Sequence, residues 1–139
     1  MNQISQYKET NVNTSDSVKM VSLLFDGANN YIRLAKKRME EGDVAGKGLY
    51  IGKVTAIVAE LSGSLDMDAG EIAKNLRRLY DFVLDRLLNA NLKNDIKTFE
   101  EAERVLDMLR SGWKEMERGL SKSADMPMKE NHPGMELRV

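Results

Sequence analysis

The chain has 139 residues, a formal net charge of −1, 42% hydrophobic and 31% charged residues, and no cysteine. That length suits one core, the balance excludes a disordered chain, and the near-zero charge provides no field to gather nucleic acid or an anionic membrane. Without thiols there can be no disulfide, thiolate metal site or cysteine nucleophile, which suits a reducing, cytoplasmic setting.

Residues 1 to about 14 are polar, with no basic stretch leading into an apolar one, and do not read as a signal peptide. They predict a flexible lead-in with apolar anchors at Ile4, Tyr7 and Val12. Thr14, Ser15 and Asp16 are start signals for a first helix. Met20, Leu24, Gly27, Tyr31 and Leu34 recur at spacings of 4, 3, 4 and 3 and predict its packing seam, which Gly42 and Asp43 close. A second helix runs from about Ala45 to Ser64, with Ile51, Val54, Val58, Leu61 and Leu65 on its core side. Asp68 and Glu71 form a D-x-x-E capping box for a third helix, whose core positions are Ile72, Leu76, Leu79, Val83, Leu87 and Ala90. Cap-forming residues from Asn89 to Asp95 end it. A fourth helix carries Phe99, Ala102, Leu106, Leu109, Trp113, Met116 and Leu120, with Thr98 and Glu101 as a second capping box. Pro127 and Pro133 lie beyond that seam, so residues 121–139 read as a mobile tail. No apolar run approaches the roughly 20 residues that would insert across a membrane. Four amphipathic segments with short connections predict an all-α chain, an antiparallel up-down four-helix bundle over residues 15–120.

Catalysis has no seat in this pattern. The only histidine, His132, lies beside Pro133 in the tail, where nothing orients it. No serine has a partner base in an ordered segment, and the Glu-x-x-His pairs of a di-iron bundle are missing. The run from Asp66 to Glu71 resembles a calcium loop only faintly. Glu71 stands where the sixth-position glycine is required, and Arg77 stands where the twelfth-position glutamate would be. A helix cap explains the same residues. Lys36-Lys37-Arg38 and Arg77-Arg78 are short and flanked by acids, as solvated helix faces are. The reading is a protein that is not an enzyme and needs no cofactor or metal.

The second helix carries the informative pattern. At 100° per residue, Gly48, Gly52, Ala56, Ala59 and Gly63 cluster opposite the core stripe. Water-facing positions normally carry Lys, Glu or Gln, and each interior glycine costs about 1 kcal/mol relative to alanine. A face without side chains lets a foreign backbone approach closely. The competing reading is that this face packs on another helix of the same bundle. On the third helix, Tyr80, Leu84 and Leu88 widen the apolar arc beyond one seam. The candidate contact set is therefore Gly48, Leu49, Gly52, Ala56, Ala59, Gly63, Tyr80, Leu84 and Leu88, with Tyr7 in the lead-in.

Several ordered segments carry a family likeness. They are Leu24-Phe25-Asp26-Gly27-Ala28, Glu60 to Asp66, Gly70-Glu71-Ile72-Ala73, Asn75-Leu76-Arg77-Arg78-Leu79-Tyr80-Asp81, Arg86 to Asn91, and Leu109-Arg110-Ser111-Gly112-Trp113. In this order and spacing, over roughly residues 4 to 118, the chain resembles the flagellar secretion chaperones that bind flagellin, the FliS family. It departs from the family where Ile4 replaces a tyrosine, where Ala69-Gly70 replaces paired glycines, and where Thr14-Ser15-Asp16 replaces Ala-Ser-Pro. The resemblance implies a cytoplasmic four-helix bundle that binds the disordered C-terminal part of flagellin, which folds into helices on its surface. It implies that flagellin is thereby kept from polymerising early and is delivered to the flagellar type III export apparatus. It also implies that the lead-in covers part of the groove in the free chaperone. Further partners left open are an export-gate component, an anti-sigma factor and a co-chaperone. The other function class compatible with the outer stripe is an adaptor bundle that self-associates through it.

Overall fold

Helices α1 (Thr14–Glu40), α2 (Val44–Gly63), α3 (Glu71–Lys93) and α4 (Ile96–Asp125) make up the computed structural model, which describes residues 14–125 and the side chains from Asp16 to Gly119. Among the described residues, no helix is long and apolar enough to cross a membrane.

Local chemistry sets the boundaries. After α1 the chain turns through Gly42, whose φ of 75° suits a residue without Cβ. Asp43 then caps α2, its carboxylate accepting from the Gly46 N–H at 2.9 Å. A Cβ on Gly46 would collide with that carboxylate, so the glycine belongs to the cap. Between α2 and α3 lies a 3-10 turn, Met67–Ala69, capped by Asp66 through the Asp68 N–H at 3.0 Å. The expected Asp68–Glu71 box therefore does not form. Asp68 is used inside this turn, and Gly70, at φ 94°, leads into α3 without a side-chain cap. α3 ends on Asn94 in the left-handed region, φ 52°, with its N–H on the Ala90 carbonyl. Asp95 opens α4 by accepting from the Lys97 and Thr98 N–H groups and from the Thr98 hydroxyl. Thr98 thus serves the Asp95 cap and does not start a box with Glu101.

Each helix packs on two neighbours, α1 on α2 and α4, and α3 on α2 and α4. Cross-helix bonds give the directions. On α1, Ser22, Asp26 and Lys36 meet Glu117, Lys114 and Glu103 of α4, so one series rises as the other falls. Lys47, near the start of α2, reaches Asn91 and Asn94 at the end of α3. This is the antiparallel up-down bundle that the periodicity predicts.

The core stripe of α1 is offset from the expected one. Val18, Phe25, Ala28, Ile32, Ala35 and Met39 are buried, with Ser22 in the same row. Met20, Leu24, Gly27, Tyr31 and Leu34 are half-buried on the flank facing α2. There a Cβ on Gly27 would meet Ile57 at 3.5 Å, and Tyr31 stacks on Tyr50 at 6.0 Å. Two adjacent apolar stripes satisfy the same spacing, and only packing on two neighbours tells them apart. Ile51, Val54, Val58 and Leu61 of α2 are buried as expected, as are Val83, Leu87 and Ala90 of α3 and Phe99, Ala102, Leu106, Leu109 and Trp113 of α4. Ile72 is 75% exposed instead of buried, and Ala73 beside it and Tyr80 take core places on α3. Met116 is also exposed.

Candidate functional site

The small-residue stripe of α2 faces outward. Gly52, Ala56, Ala59 and Gly63 are exposed, Gly48 is half-exposed, and Leu49 beside them is 56% exposed. A Cβ added at Gly48, Gly52 or Gly63 would meet nothing within 4 Å. The stripe therefore does not pack inside the bundle, which removes that reading of it.

Its neighbours fix its orientation. Tyr50, Lys53 and Ile57 turn toward α1, since Tyr50 stacks on Tyr31, Lys53 lies over the Tyr31 ring, and Ile57 reaches Gly27. On the helical wheel, Gly48, Gly52 and Ala59 then lie on the outer shoulder toward α3. On α3, the Asn91 carbonyl meets Lys47, so the flank it shares with Leu84 and Leu88 is the one facing α2. Leu84 is half-buried, Leu88 is 58% exposed and Leu92 is 74% exposed. The result is a shallow channel with a floor of bare helix backbone and a wall of leucines.

Tyr80 is not part of it. It is 1% exposed, its ring 6.5 Å from Phe25, which in turn stacks on Trp113 at 6.3 Å. Tyr80 follows Leu76 and precedes Leu84 at four-residue steps, so spacing alone joins it to the surface row. In three dimensions it turns into the core, toward Phe25 of α1 and Trp113 of α4. Burial pushes its phenol up to about 12, against a hydrogen bond from Trp113. Tyr7 lies outside the described residues.

Lys47 is the residue that the sequence reading missed. It is 4% exposed, and its ammonium donates to the Asn91 carbonyl at 3.1 Å and to Asn94 Oδ1 at 3.0 Å. A cation there complements the negative end of α3 and anchors the left-handed Asn94 turn. The signal was available, because Lys47 precedes Ile51 and Val54 by 4 and 7 on the core stripe. Of the four neighbouring pairs, α2 and α3 share the smallest contact, and Lys47 ties them at one end of the channel.

The opposite seam is charged. Asp26 accepts from Arg110 Nε and Lys114 Nζ, both at 2.8 Å. The Lys114 hydrogen bond holds its carboxyl below the usual carboxylate range against partial desolvation, with help from Arg110. Lys36 bonds Glu100 and Glu103, each at 3.1 Å, and hydrogen bonding to Glu100 and then Glu103 pushes its ammonium up. A depression of about 500 Å³ on this seam is lined by Arg33, Arg104, Glu100, Glu103 and Asp107. Two of its acids, Glu100 and Glu103, are the partners of Lys36, and its lining contains no nucleophile–base pair. Among the described residues, no three His, Cys, Asp or Glu side chains group as metal ligands would.

The motif Leu24 to Ala28 supplies a buried Phe25 and Ala28, the ion-paired Asp26, and Gly27 against Ile57. The motif Leu109 to Trp113 supplies Asp26's partner Arg110 and the buried Trp113. Two segments that carry the family likeness are thus one structural joint between α1 and α4.

A family model described as "Flagellar protein FliS" matches residues 1–119. The chain is 39% identical over 110 residues to a flagellar secretion chaperone FliS of Salmonella typhimurium, covering 78% of this chain and 82% of that one. It is 33% identical over 118 residues to the flagellar secretion chaperone FliSB of Pseudomonas aeruginosa, covering 81% and 94%. It is 30% identical over 114 residues to a flagellar secretion chaperone FliS of Bacillus subtilis, covering 82% and 85%.

Proposed function

The chain belongs to the FliS family of flagellar secretion chaperones, a family of chaperones and not of enzymes, and from that premise we propose that its cargo is the C-terminal segment of flagellin. In this reading the segment lies as a helix along the channel between α2 and α3. Its backbone approaches Gly48, Gly52, Ala56, Ala59 and Gly63, and its apolar side chains meet Leu49, Leu84 and Leu88. The observation that supports it is the open space above three glycines of α2, where an alanine would be free to fit and helix propensity would favour it. A cargo segment that is disordered before binding gives up chain entropy as it folds on the surface, and apolar burial offsets that loss. While bound, it is withheld from polymerisation in the cytoplasm and can be presented to the export apparatus.

Calorimetry with purified flagellin tests this. One-to-one binding with a large negative heat-capacity change is expected, since apolar surface is buried as the segment folds. Gly52→Gln should weaken binding about tenfold or more by filling the channel floor. Absence of binding, or full affinity in Gly52→Gln, overturns the reading. Tyr7 and the lead-in are proposed to shield the channel in the free protein, so deleting residues 1–12 should tighten flagellin binding. Unchanged affinity and on-rate would remove that part.

A further inference from the structure

Position 47 opens the core row of α2, which continues through Ile51, Val54, Val58 and Leu61. Every other buried member of that row is aliphatic. Taking an ammonium out of water is costly unless close oxygens replace the lost hydration. Lys47 has two such oxygens, the Asn91 carbonyl at 3.1 Å and Asn94 Oδ1 at 3.0 Å, and both are uncharged. They compensate an ammonium less well than a carboxylate does. A methionine would fill the same volume without that cost. Packing by itself therefore does not account for a lysine here.

The topology supplies a reason. At one end of the channel, α2 and α3 are joined by the chain itself, through residues 64–70 and their 3-10 turn, which packs on α3. At the other end they have no such connection. There α2 comes from α1 through residues 41–43, and α3 runs on into α4 through residues 94 and 95. Lys47 bridges α2 and α3 at this second end, so the channel is tied covalently at one end and by hydrogen bonds at the other. The second end is also the more apolar. Leu49 follows Lys47 by two residues, Leu88 and Leu92 flank Asn91, and Val44 begins α2 beside them, all four exposed. The spacing of these side chains across the channel depends on the separation that Lys47 spans.

We propose, resting on the cargo reading of this channel, that Lys47 is a positioning residue that holds the leucine end of the channel at one width before the cargo helix enters. A preformed channel spares the cost of ordering its walls on binding. Without the bridge, the free ends of α2 and α3 sample wider separations. Only a fraction of molecules is then competent to bind, and the apparent affinity falls by that fraction.

The chain contains no cysteine, so introduced pairs can carry spin labels without competition. The test labels the flagellin-free, full-length protein at Leu49→Cys with Leu88→Cys, across the Lys47 end, and at Gly63→Cys with Lys74→Cys, across the connected end. Double electron–electron resonance reads both separations. Lys47→Met should broaden the first distance distribution about twofold and leave the second unchanged. In unlabelled protein, Lys47→Met should weaken flagellin binding about tenfold with the urea midpoint unchanged or raised. Asn94→Gly keeps a residue suited to φ 52° and removes one of the two acceptors. It should weaken binding about threefold, and adding it to Lys47→Met should weaken binding no further, since both act through the same bond. An unchanged Leu49–Leu88 distribution in Lys47→Met overturns the proposal. So does full flagellin affinity in that variant, or a loss of affinity that only follows a loss of folded protein. If the wild-type chain binds no flagellin, the cargo reading falls by itself, and the spin-label distances still decide whether Lys47 sets the channel.

Discussion

Gly48 and Gly52 stand in the interior of α2 with open space where a Cβ would be. Gly48→Ala and Gly52→Ala should therefore stabilise the free protein by about 0.5–1 kcal/mol each in denaturant unfolding. The same changes should loosen flagellin binding in calorimetry. A residue that lowers stability in isolation and raises affinity in complex is what a contact floor requires, and destabilisation by these alanines would contradict it. Tyr80 makes the opposite case, an apolar-looking surface residue whose role is internal. Its phenol is raised to about 12 in the folded state, while the unfolded chain ionises near the ordinary value of 10.0. The unfolded state therefore releases its proton first. The contribution of Tyr80 to stability is full below about pH 10 and declines by roughly 2–3 kcal/mol as the pH rises to 12. Tyr80→Phe should lose that part of the alkaline slope, read from unfolding midpoints at pH 9 and 11.5; an unchanged slope would mean the phenol reaches solvent.

At the scale of helices, the seams divide by chemistry. α1 and α4 are joined by Asp26 with Arg110 and Lys114, by Lys36 with Glu100 and Glu103, and by Ser22 with Glu117. The Asp26 carboxyl is depressed below its ordinary value of 3.8, so the folded state keeps its proton off longer than the unfolded chain as the pH falls. Its contribution is present above that ordinary value and is lost as the pH drops through the depressed one. Asp26→Asn should lower stability at pH 7 and flatten the fall in stability between pH 5 and 2, measured by urea midpoints. An unaltered acid limb would assign the acid sensitivity to other carboxylates. α2 differs from the other helices in having apolar or bare surface almost all round. Its inner stripe builds the core, its flank packs on α1, and its outer shoulder remains open. That is why its two faces are so alike in polarity, and why the sequence pattern by itself permitted either an internal or an external partner for the glycines.

At the scale of the whole molecule, the rings of Trp113, Phe25 and Tyr80 join α4, α1 and α3 through the centre. Trp113→Ala should cost roughly 3–5 kcal/mol and lower the thermal midpoint of the bundle as one cooperative transition. A variant that kept full stability yet failed to bind flagellin would move Trp113 from core to contact surface. The helix count, the antiparallel order and most of the core were legible in the sequence, because apolar spacings of three and four and breaks at Gly42 and Asn94 are local properties of the chain. The family likeness was legible for the same reason, being carried by ordered short segments. The depth at which a given row lies was not legible. Val18, Phe25 and Ile32 displaced the expected α1 seam, Tyr80 went inward while Ile72 stayed outside, and Lys47 replaced an apolar residue by reaching the end of α3. Those outcomes depend on which neighbour each flank meets, a quantity that a period of 3.6 residues does not contain. The outward aspect of the Gly48–Gly63 stripe was settled in the same way, by α2 having α1 and α3 on its two inner flanks and no described helix across its outer one.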